Sequence, residues 1–496
     1  MSWDTKRPRN HRLRTGRRDF LRILGGAAAS GWFSPLASAF NSPPYPFAEV
    51  LASRSGLTFV HTAGSSPEKY LPESTGAGCA FFDYDNDGWM DIYLVNSGKC
   101  DFFTPKTPLR NALYHNNRDG TFTDITEKAG VTGGGYGMGV AVGDYNADGF
   151  PDLYLTQYGR SILYRNNGDG TFTDVSQKTG IADNPGKSWG VVATDVNNDG
   201  WMDLFVANDT VANFLFMNRA GKRFEEIGFT AGVAYGEQGR ARSGMGVDSA
   251  DFNEDGWMDL FVTNMDHELY GIYQNKKDET FDDVAAPTGI ARATQLMSGW
   301  GLKFFDYDND GNLDLFVANG HPDDLIEKIY PTVFYREPPL LFHNSGSGLV
   351  NVSAESGPIF ARPMASRGLA LGDFDNDGAV DVLISNNDEP PLLLRNLVGS
   401  QNHWLGINLI GKNANPDAIG ARVTYQASDL KRSRMKVGGG SYLSSHDPRI
   451  VLGIGQRKKF DWVEVKWPQP SGRVERFTDL PIDRYVTIVE GEGKWK

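Results

Sequence analysis

Six nine-residue segments of this chain align without a gap, and no other feature restricts its fold so tightly. They read DYDNDGWMD from Asp83, DYNADGFPD from Asp144, DVNNDGWMD from Asp195, DFNEDGWMD from Asp251, DYDNDGNLD from Asp306 and DFDNDGAVD from Asp373. Their first residues lie 61, 51, 56, 55 and 67 positions apart, the length of one supersecondary unit with loop insertions. Five residues before each first Asp stands a glycine: Gly78, Gly139, Gly190, Gly246, Gly301 and Gly368. Each segment ends on an Asp that opens a short β-branched or aromatic run such as IYLVN or LFVAN. A third run, as in ALYHNN or ILYRNN, and a turn such as GDG then lead to a fourth, TFTDV. Four short strands per unit, punctuated by Gly, Asn and Asp, predict repeated antiparallel sheets.

The ends of the repeat decide between a ring and an open stack. Fourth strands with a common tail follow the first five loops: FTDITEKAGV, FTDVSQKTGI, FEEIGFTAGV, FDDVAAPTGI and, more loosely, LVNVSAESGP. None follows the sixth. The missing copy stands near the N-terminus as FAEVLASRSGL, residues 47–57. A first strand that completes the last sheet closes a ring and leaves no open edge, whereas a linear solenoid has no use for it. The sequence therefore predicts an all-β chain. Residues 43–397 form a six-bladed β-propeller, or a seven-bladed one if a loop insertion hides a degenerate unit. Residues 402–491 follow as a small β-sandwich, read from the alternating runs WLGINLI, ARVTYQA, WVEVKW and YVTIVEG.

Four carboxylates within nine residues repel one another unless a cation lies among them. Offsets 0, 2 and 4 of each segment turn side-chain oxygens inward, glycine at offset 5 permits the sharp turn, a carbonyl enters at offset 6, and Asp at offset 8 closes the shell. The expected ligands are Asp83, Asp85, Asp87 and Asp91; Asp144, Asn146, Asp148 and Asp152; Asp195, Asn197, Asp199 and Asp203; Asp251, Asn253, Asp255 and Asp259; Asp306, Asp308, Asp310 and Asp314; and Asp373, Asp375, Asp377 and Asp381. An all-oxygen set suits Ca²⁺, and no Cys or His stands at ligand spacing for zinc or copper. The loop is not an EF-hand, because its twelfth position is apolar (Leu94, Leu155, Val206, Val262, Val317, Ile384) and its flanks read as strands. Metal-free Asx turns are the plainer alternative. Six copies with identical offsets favour about six structural calcium ions, with the modest affinity of extracellular modules. A catalytic carboxylate pair is needed once per molecule, so sixfold repetition argues against a glycosidase site.

The first 39 residues follow other rules. KRPRNHRLRTGRRDFLR precedes a weakly apolar stretch and an A-x-A pattern at residues 37–39. GRRDFLR resembles the twin-arginine export signal, with Arg17, Arg18, Phe20 and Leu21 in place, Gly16 where Ser or Thr is usual and Arg22 where Lys is usual. The apolar stretch is too short and Gly/Ala-rich for a lasting anchor, so an exported chain of about residues 40–496, with no transmembrane segment, is expected. Removing eight basic and two acidic residues with this leader moves the net charge from −13 to −19, which disfavours nucleic acid and anionic membranes as partners. Six divalent ions bring it to about −7. Two cysteines, Cys79 and Cys100, lie in one expected hairpin, where a disulfide is as open a possibility as two free thiols.

These residues resemble known families. The loops, with NxLYRNNGDGTFTDV around them, are similar to the FG-GAP/VCBS repeats also seen in integrin α-chain propellers. DAIGARV, GGGSYLSSHDPRIVLGIG and VEVKWPQPSGRVERF are similar to the ASPIC/UnbV domain. The combination, over about residues 43–491, resembles the cartilage acidic protein 1 family. Two departures are the extra Gln469 and Pro470 in KWPQPSG, and His446 in SSHDPR. The resemblance implies secretion, calcium binding and, as in animal members, matrix or cell-surface association, and fixes no activity.

For the working surface, non-repeating residues at repeating positions are the guide. Ala77, Met138, Trp189, Met245, Trp300 and Arg367 precede the six glycines and either pack between inner strands or ring the channel. The stretches NMDHELYG (264–271) and NGHPDDLIEKIYPTVFYREPP (319–339) hold Asp266, His267, Glu268, His321, Asp323 and Asp324, as a solvated loop or as a site. Trp189, Trp300, His321, Asp323 and Arg367 are the ligand-binding candidates. Trp89, Trp201 and Trp257 read as packing between blades. No catalytic residue is assigned, since no nucleophile elbow, zinc-protease helix, P-loop or C-x-x-C is present. The expected function is an exported calcium-binding module for a glycan, peptide or protein; the alternative is an envelope enzyme acting on a small molecule or polysaccharide at the channel mouth.

Overall fold

Each six-repeat segment folds into one twisted antiparallel sheet. In the computed structural model, described for residues 45–179, 188–236, 239–346 and 348–496, the sheets span residues 79–124, 136–174, 190–226, 247–283, 299–351 and 366–396 (blades 1 to 6). The leader expected at 1–39 lies outside the described residues. The ring closes as the tail count requires: Phe47–Glu49 pairs with Leu392–Asn396, Phe47 opposite Asn396, and supplies the outermost strand of blade 6. Phe47 is buried against Phe316 and Phe360, so the closing strand is fixed by packing as well as by its ladder. Six blades, and not a hidden seventh, are present among the described residues.

Strand alternation places apolar side chains on both faces of each sheet, and neighbouring blades bury them together. Buried apolar clusters fill the junctions between blades 6 and 1, 1 and 2, 3 and 4, 4 and 5, and 5 and 6. The junction of blades 2 and 3 has no such cluster among the described residues, and Val191 on its inner strand is 49% exposed. Polar links fail at the same place. The asparagine ending the third strand reaches a loop carbonyl of the preceding blade from Asn116, Asn166, Asn275, Asn344 and Asn396. Among the described residues, Asn218 of blade 3 bonds only within its own blade.

The C-terminal domain fills this seam. It comprises a sheet of Ile450–Gly455, His403–Ile410 and Tyr485–Val489 and a second of Leu430–Met435, Arg422–Ala427, Trp462–Lys466 and Val474–Phe477. Their inner faces bury Leu405, Ile407, Val423, Tyr425, Val463 and Trp467 in one core. Together with the propeller the domain makes one compact unit. Gly438–Gly439 adds a fifth strand to blade 3, and the segment then enters the propeller channel. Ser441 exchanges backbone hydrogen bonds with Val247 of blade 4, Leu443 O accepts from Val140 N of blade 2 at 3.0 Å, and Ser445 N donates to Cys79 O of blade 1. Leu371 N of blade 6 donates to His446 Nδ1 at 3.0 Å.

The six repeated glycines explain how the channel can be this narrow. A Cβ at Gly246 would lie 1.9 Å from Trp300 O of the next blade, and one at Gly78 would lie 1.6 Å from Leu443 O. At Gly139 the nearest neighbour is not the next blade but the Leu443 side chain, so the C-terminal segment occupies the place of a blade-to-blade contact. Both cysteines are free; Cys79 is buried with its Sγ near Leu383 O and Ser444 Oγ.

Candidate metal centres and the open mouth

Each Asp loop is first a backbone device. In blade 1, Asp83 accepts the N–H groups of Asp87 and Gly88, and Asp87 accepts that of Trp89. Buried Asp91 accepts Tyr84 N and Asn116 N, tying the loop to the third strand. The offset-0 contacts recur in blades 2 to 6. The residue at offset 3 is left-handed in all six loops, with φ between 55° and 60°.

These bonds leave carboxylate oxygens over. Asp85 Oδ1, Asp259 Oδ2 and Asp375 Oδ1 are buried without a hydrogen-bond partner among the described residues. Three carboxylates converge within metal-binding distance at Asp83, Asp85 and Asp87, at Asp306, Asp308 and Asp310, and at Asp373, Asp375 and Asp381. These are the three loops with Asp at offset 2. In the other three, Asn146, Asn197 and Asn253 turn an amide donor to the offset-4 carboxylate at 2.8, 3.2 and 3.4 Å. Burial, reinforced by neighbouring carboxylates, pushes Asp83, Asp91 and Asp152 up to about 6, Asp203 and Asp314 to about 7, and Asp259 to about 8. Converging, partly buried carboxylates of this kind fit a hard divalent cation, in competition with Arg118, 2.6 Å from Asp87, and Arg395, 2.6 Å from Asp375.

Two residues that the spacing argument overlooked join them. His115 Nδ1 lies 3.3 Å from Asp91 and 3.7 Å from Asp85; His343 Nδ1 lies 3.1 Å from Asp314 and 3.8 Å from Asp308. Both occupy the third-strand position just before the repeated asparagine, where Arg395 in blade 6 sits 2.6 Å from Asp375. The signal was in the repeat, as the variable letter of YHNN, YRNN and FHNS.

The loops also hold one another. Asn86, Asn198, Asn309 and Asn376, all at offset 3, donate to the glycine carbonyl of the next loop: Gly149, Gly256, Gly378 and Gly88. Ala147 and Glu254 break this chain, and the C-terminal domain supplies the missing donors. Gln469 N reaches Gly200 O at 2.9 Å, and Arg432 and Arg434 reach Gly311 O at 2.8 and 2.7 Å. Gln469 is one of the two extra residues noted in the sequence.

At the other face a pocket of about 890 Å³ opens between the short helix Leu71–Thr75 and loops of blades 4 and 5. It contains His321 and Asp323. His321 is buried; its Nδ1 accepts Asp323 N–H at 2.9 Å and its Nε2 faces Asp266 at 3.1 Å. Exposed His267 holds the other Asp266 oxygen at 2.6 Å, and the hydrogen bonds from His321 and His267 keep the Asp266 carboxyl below its usual range. Exposed Tyr70, Leu71, Leu325 and Tyr330 rim the pocket.

Trp189, Trp300 and Arg367 lie elsewhere, within the channel. Tyr442 fills it, 4.8 Å from the Trp300 ring and 6.1 Å from that of half-buried Trp189. Arg367 is fully buried, stacks 4.3 Å over Trp300 and donates to the carbonyls of Ser74, Gly320, Ser366 and His321. Trp300 and Arg367 therefore meet the chain's own residues rather than a channel ligand.

Family comparisons agree with this architecture. Residues 83–155, 144–206, 195–262 and 251–317 match the FG-GAP-like repeat, and residues 411–494 match ASPIC and UnbV. The chain is thus an FG-GAP-repeat β-propeller with a C-terminal ASPIC/UnbV domain. Among named proteins it is similar to cartilage acidic protein 1. The Homo sapiens protein is 25% identical over 465 residues, covering 88% of this chain and 67% of the relative. The Mus musculus protein is 26% identical over 434 residues, covering 82% and 63%. The Bacillus licheniformis rhamnogalacturonan lyase PL11 superposes with a TM-score of 0.30 at 11% identity, over 72% of this chain and 76% of that one. No helix of the described residues is long and apolar enough to cross a membrane.

Proposed function

We propose that the chain is an exported binding protein whose propeller is stapled by calcium and whose open mouth receives a glycan, peptide or protein. The observation that carries this reading is the division of labour between the two faces. One face and the channel are taken up by the C-terminal domain and Tyr442, while the other presents a pocket of about 890 Å³ with a rim of exposed tyrosine and leucine over a polar floor. Aromatic and aliphatic edges around a few fixed polar groups suit a sugar ring or an extended side chain. In this reading His321 and Asp323 shape the pocket, and Trp189, Trp300 and Arg367 support it from the channel.

Calcium belongs to the same reading. Asp83, Asp85, Asp87 and Asp91 in blade 1, with their counterparts in blades 5 and 6, form the tighter sites; the three loops with asparagine at offset 2 form weaker ones. The ion supplies charge neutralisation that fixes each inner hairpin. Export through the twin-arginine-like leader places the chain where free calcium suffices for modest sites.

The test uses calcium-loaded protein on glycan and peptide arrays, with His267→Ala and Tyr330→Ala, two exposed pocket positions that spare the core. Saturable binding lost in both variants supports the reading. Retained binding would place the ligand elsewhere, and turnover of a bound ligand would make the mouth an active site.

A further inference from the structure

We infer that the ligand of the open mouth is a basic side chain, the lysine or arginine of an extended peptide, which rests on the binding role proposed above and gives it a chemical class.

Hydrogen bonds tie the floor of the pocket together. Asn387 Nδ2 donates to Glu73 O at 3.0 Å and to Tyr335 Oη at 3.3 Å. Tyr335 O accepts His321 N at 2.9 Å, His321 Nδ1 accepts Asp323 N at 2.9 Å, and His321 Nε2 meets Asp266 at 3.1 Å. Lys69, just before the helix Leu71–Thr75, meets Asp324 of the blade 5 loop at 2.8 Å and joins the two sides. Asn387, Asp266, His321, Asp323, Lys69 and Asp324 line the same space of about 890 Å³.

Charge in this pocket is one-sided. Five carboxylates line it, those of Glu73, Asp266, Glu268, Asp323 and Asp324, against one ammonium, Lys69. His321, which accepts at Nδ1 and donates from Nε2, is a neutral imidazole, and His267 is held against Asp266. The side chains of Lys69 and Asp324 are 43% and 39% exposed, so their pair is weak and an incoming cation can take the place of Lys69.

Hydrogen bonding is one-sided in the same sense. Lys69 Nζ, His321 Nε2, His267 Nδ1 and Asn387 Nδ2 already have acceptors within the protein. Acceptors are left over. Asn387 is 2% exposed, and its Oδ1 is buried without a partner among the described residues. Its amide cannot be turned round, because Glu73 O would then face an oxygen. Leu325 N and Lys69 Nζ use one oxygen each of Asp323 and Asp324, and no hydrogen bond among the described residues reaches the other.

A buried acceptor without a donor is costly, and it calls for a ligand group that only donates. Ammonium and guanidinium groups do so, in charge-assisted bonds. A sugar hydroxyl both donates and accepts and gains less from such a floor. At the rim, exposed Leu71 and Leu325 suit the aliphatic stem of a basic side chain, and exposed Tyr70 and Tyr330 suit its cation.

The experiment measures binding of four fluorescent pools of end-capped nonapeptides to the calcium-loaded full chain, with lysine, arginine, norleucine or glutamate fixed at the centre of uncharged flanks. The lysine or the arginine pool is expected to bind at least tenfold tighter than the norleucine pool, and the glutamate pool weakest. Lys69→Gln should tighten the basic pool at least threefold by releasing Asp324, and Asp323→Asn should loosen it at least threefold. Misfolding would weaken binding in both variants, so opposite signs separate recognition from folding. Norleucine or glutamate bound as tightly as the basic pools overturns the inference; loss of that binding in His267→Ala leaves the binding role of the mouth standing, and its survival there overturns both. Binding of a glucosamine oligomer in place of every peptide pool overturns the basic peptide alone. A basic pool bound alike by wild type, Lys69→Gln and Asp323→Asn, or no saturable binding of any probe, overturns both.

Discussion

Replacing Tyr442 tests whether the C-terminal segment truly threads the propeller. Its side chain is fully buried, its ring packs edge-on to Trp300 at 4.8 Å, and its hydroxyl donates to Thr75 O at 3.1 Å. Tyr442→Phe removes only that hydrogen bond and strands a buried carbonyl, a loss of about 1–3 kcal/mol. Tyr442→Ala also empties the channel centre; truncating a buried aromatic costs about 3–5 kcal/mol, because the ring of inner strands around it cannot collapse to fill the space. The alanine variant should therefore lie about 3 kcal/mol below the phenylalanine variant. Urea unfolding in excess calcium, followed by tryptophan fluorescence, reads this directly, since Trp189 and Trp300 flank the site. An alanine variant within about 0.5 kcal/mol of wild type, the range of an ordinary surface change, would refute the threading and with it the account of the seam between blades 2 and 3.

Arg434→Met should cost about 3 kcal/mol by leaving Glu254 without its close partner at 2.7 Å. Adding Glu254→Asn should recover at least half in the same unfolding assay, since asparagine at offset 3 serves the next loop's glycine carbonyl in four other blades. Chelation should lower the melting temperature, and its pH dependence has a definite sign. The loop carboxylates titrate higher in the fold, at about 6 to 8, than their ordinary 3.8, so the metal-free fold binds more protons than the unfolded chain. Metal-free stability therefore falls as pH rises through that window, and melts in chelator should be higher at about pH 5.5 than at about pH 8, with calcium reversing the order. Fusing residues 1–39 to a reporter should export it, and Arg17→Lys with Arg18→Lys should abolish export.

The ring and its loops were legible because both are written in local spacing. Offsets within nine residues set the loop, and a displaced FAEV strand announced closure, so no long-range contact had to be guessed. The seam between blades 2 and 3 left only traces: the shortest spacing, 51 residues, and the alanine in DYNADGFPD where four of the other five loops carry asparagine. Neither is interpretable without knowing which carbonyl that asparagine serves. GGGSYLSSHDPR has no period from which to predict partners more than three hundred residues distant, such as Thr75 and Cys79. Trp300 and Arg367 showed the same limit, because a variable position beside an invariant glycine looks alike whether it faces ligand or Tyr442. Yet the trace residues and the long-range contacts obey one rule. Wherever the repeat omits a donor or a packing partner, at Ala147, Glu254 or Gly139, the C-terminal domain brings one, as Gln469, Arg434 or Leu443. A ring able to close on its own would gain little from such complements, so the two parts of this chain make one stable body, and residues 402–496 complete the propeller they follow.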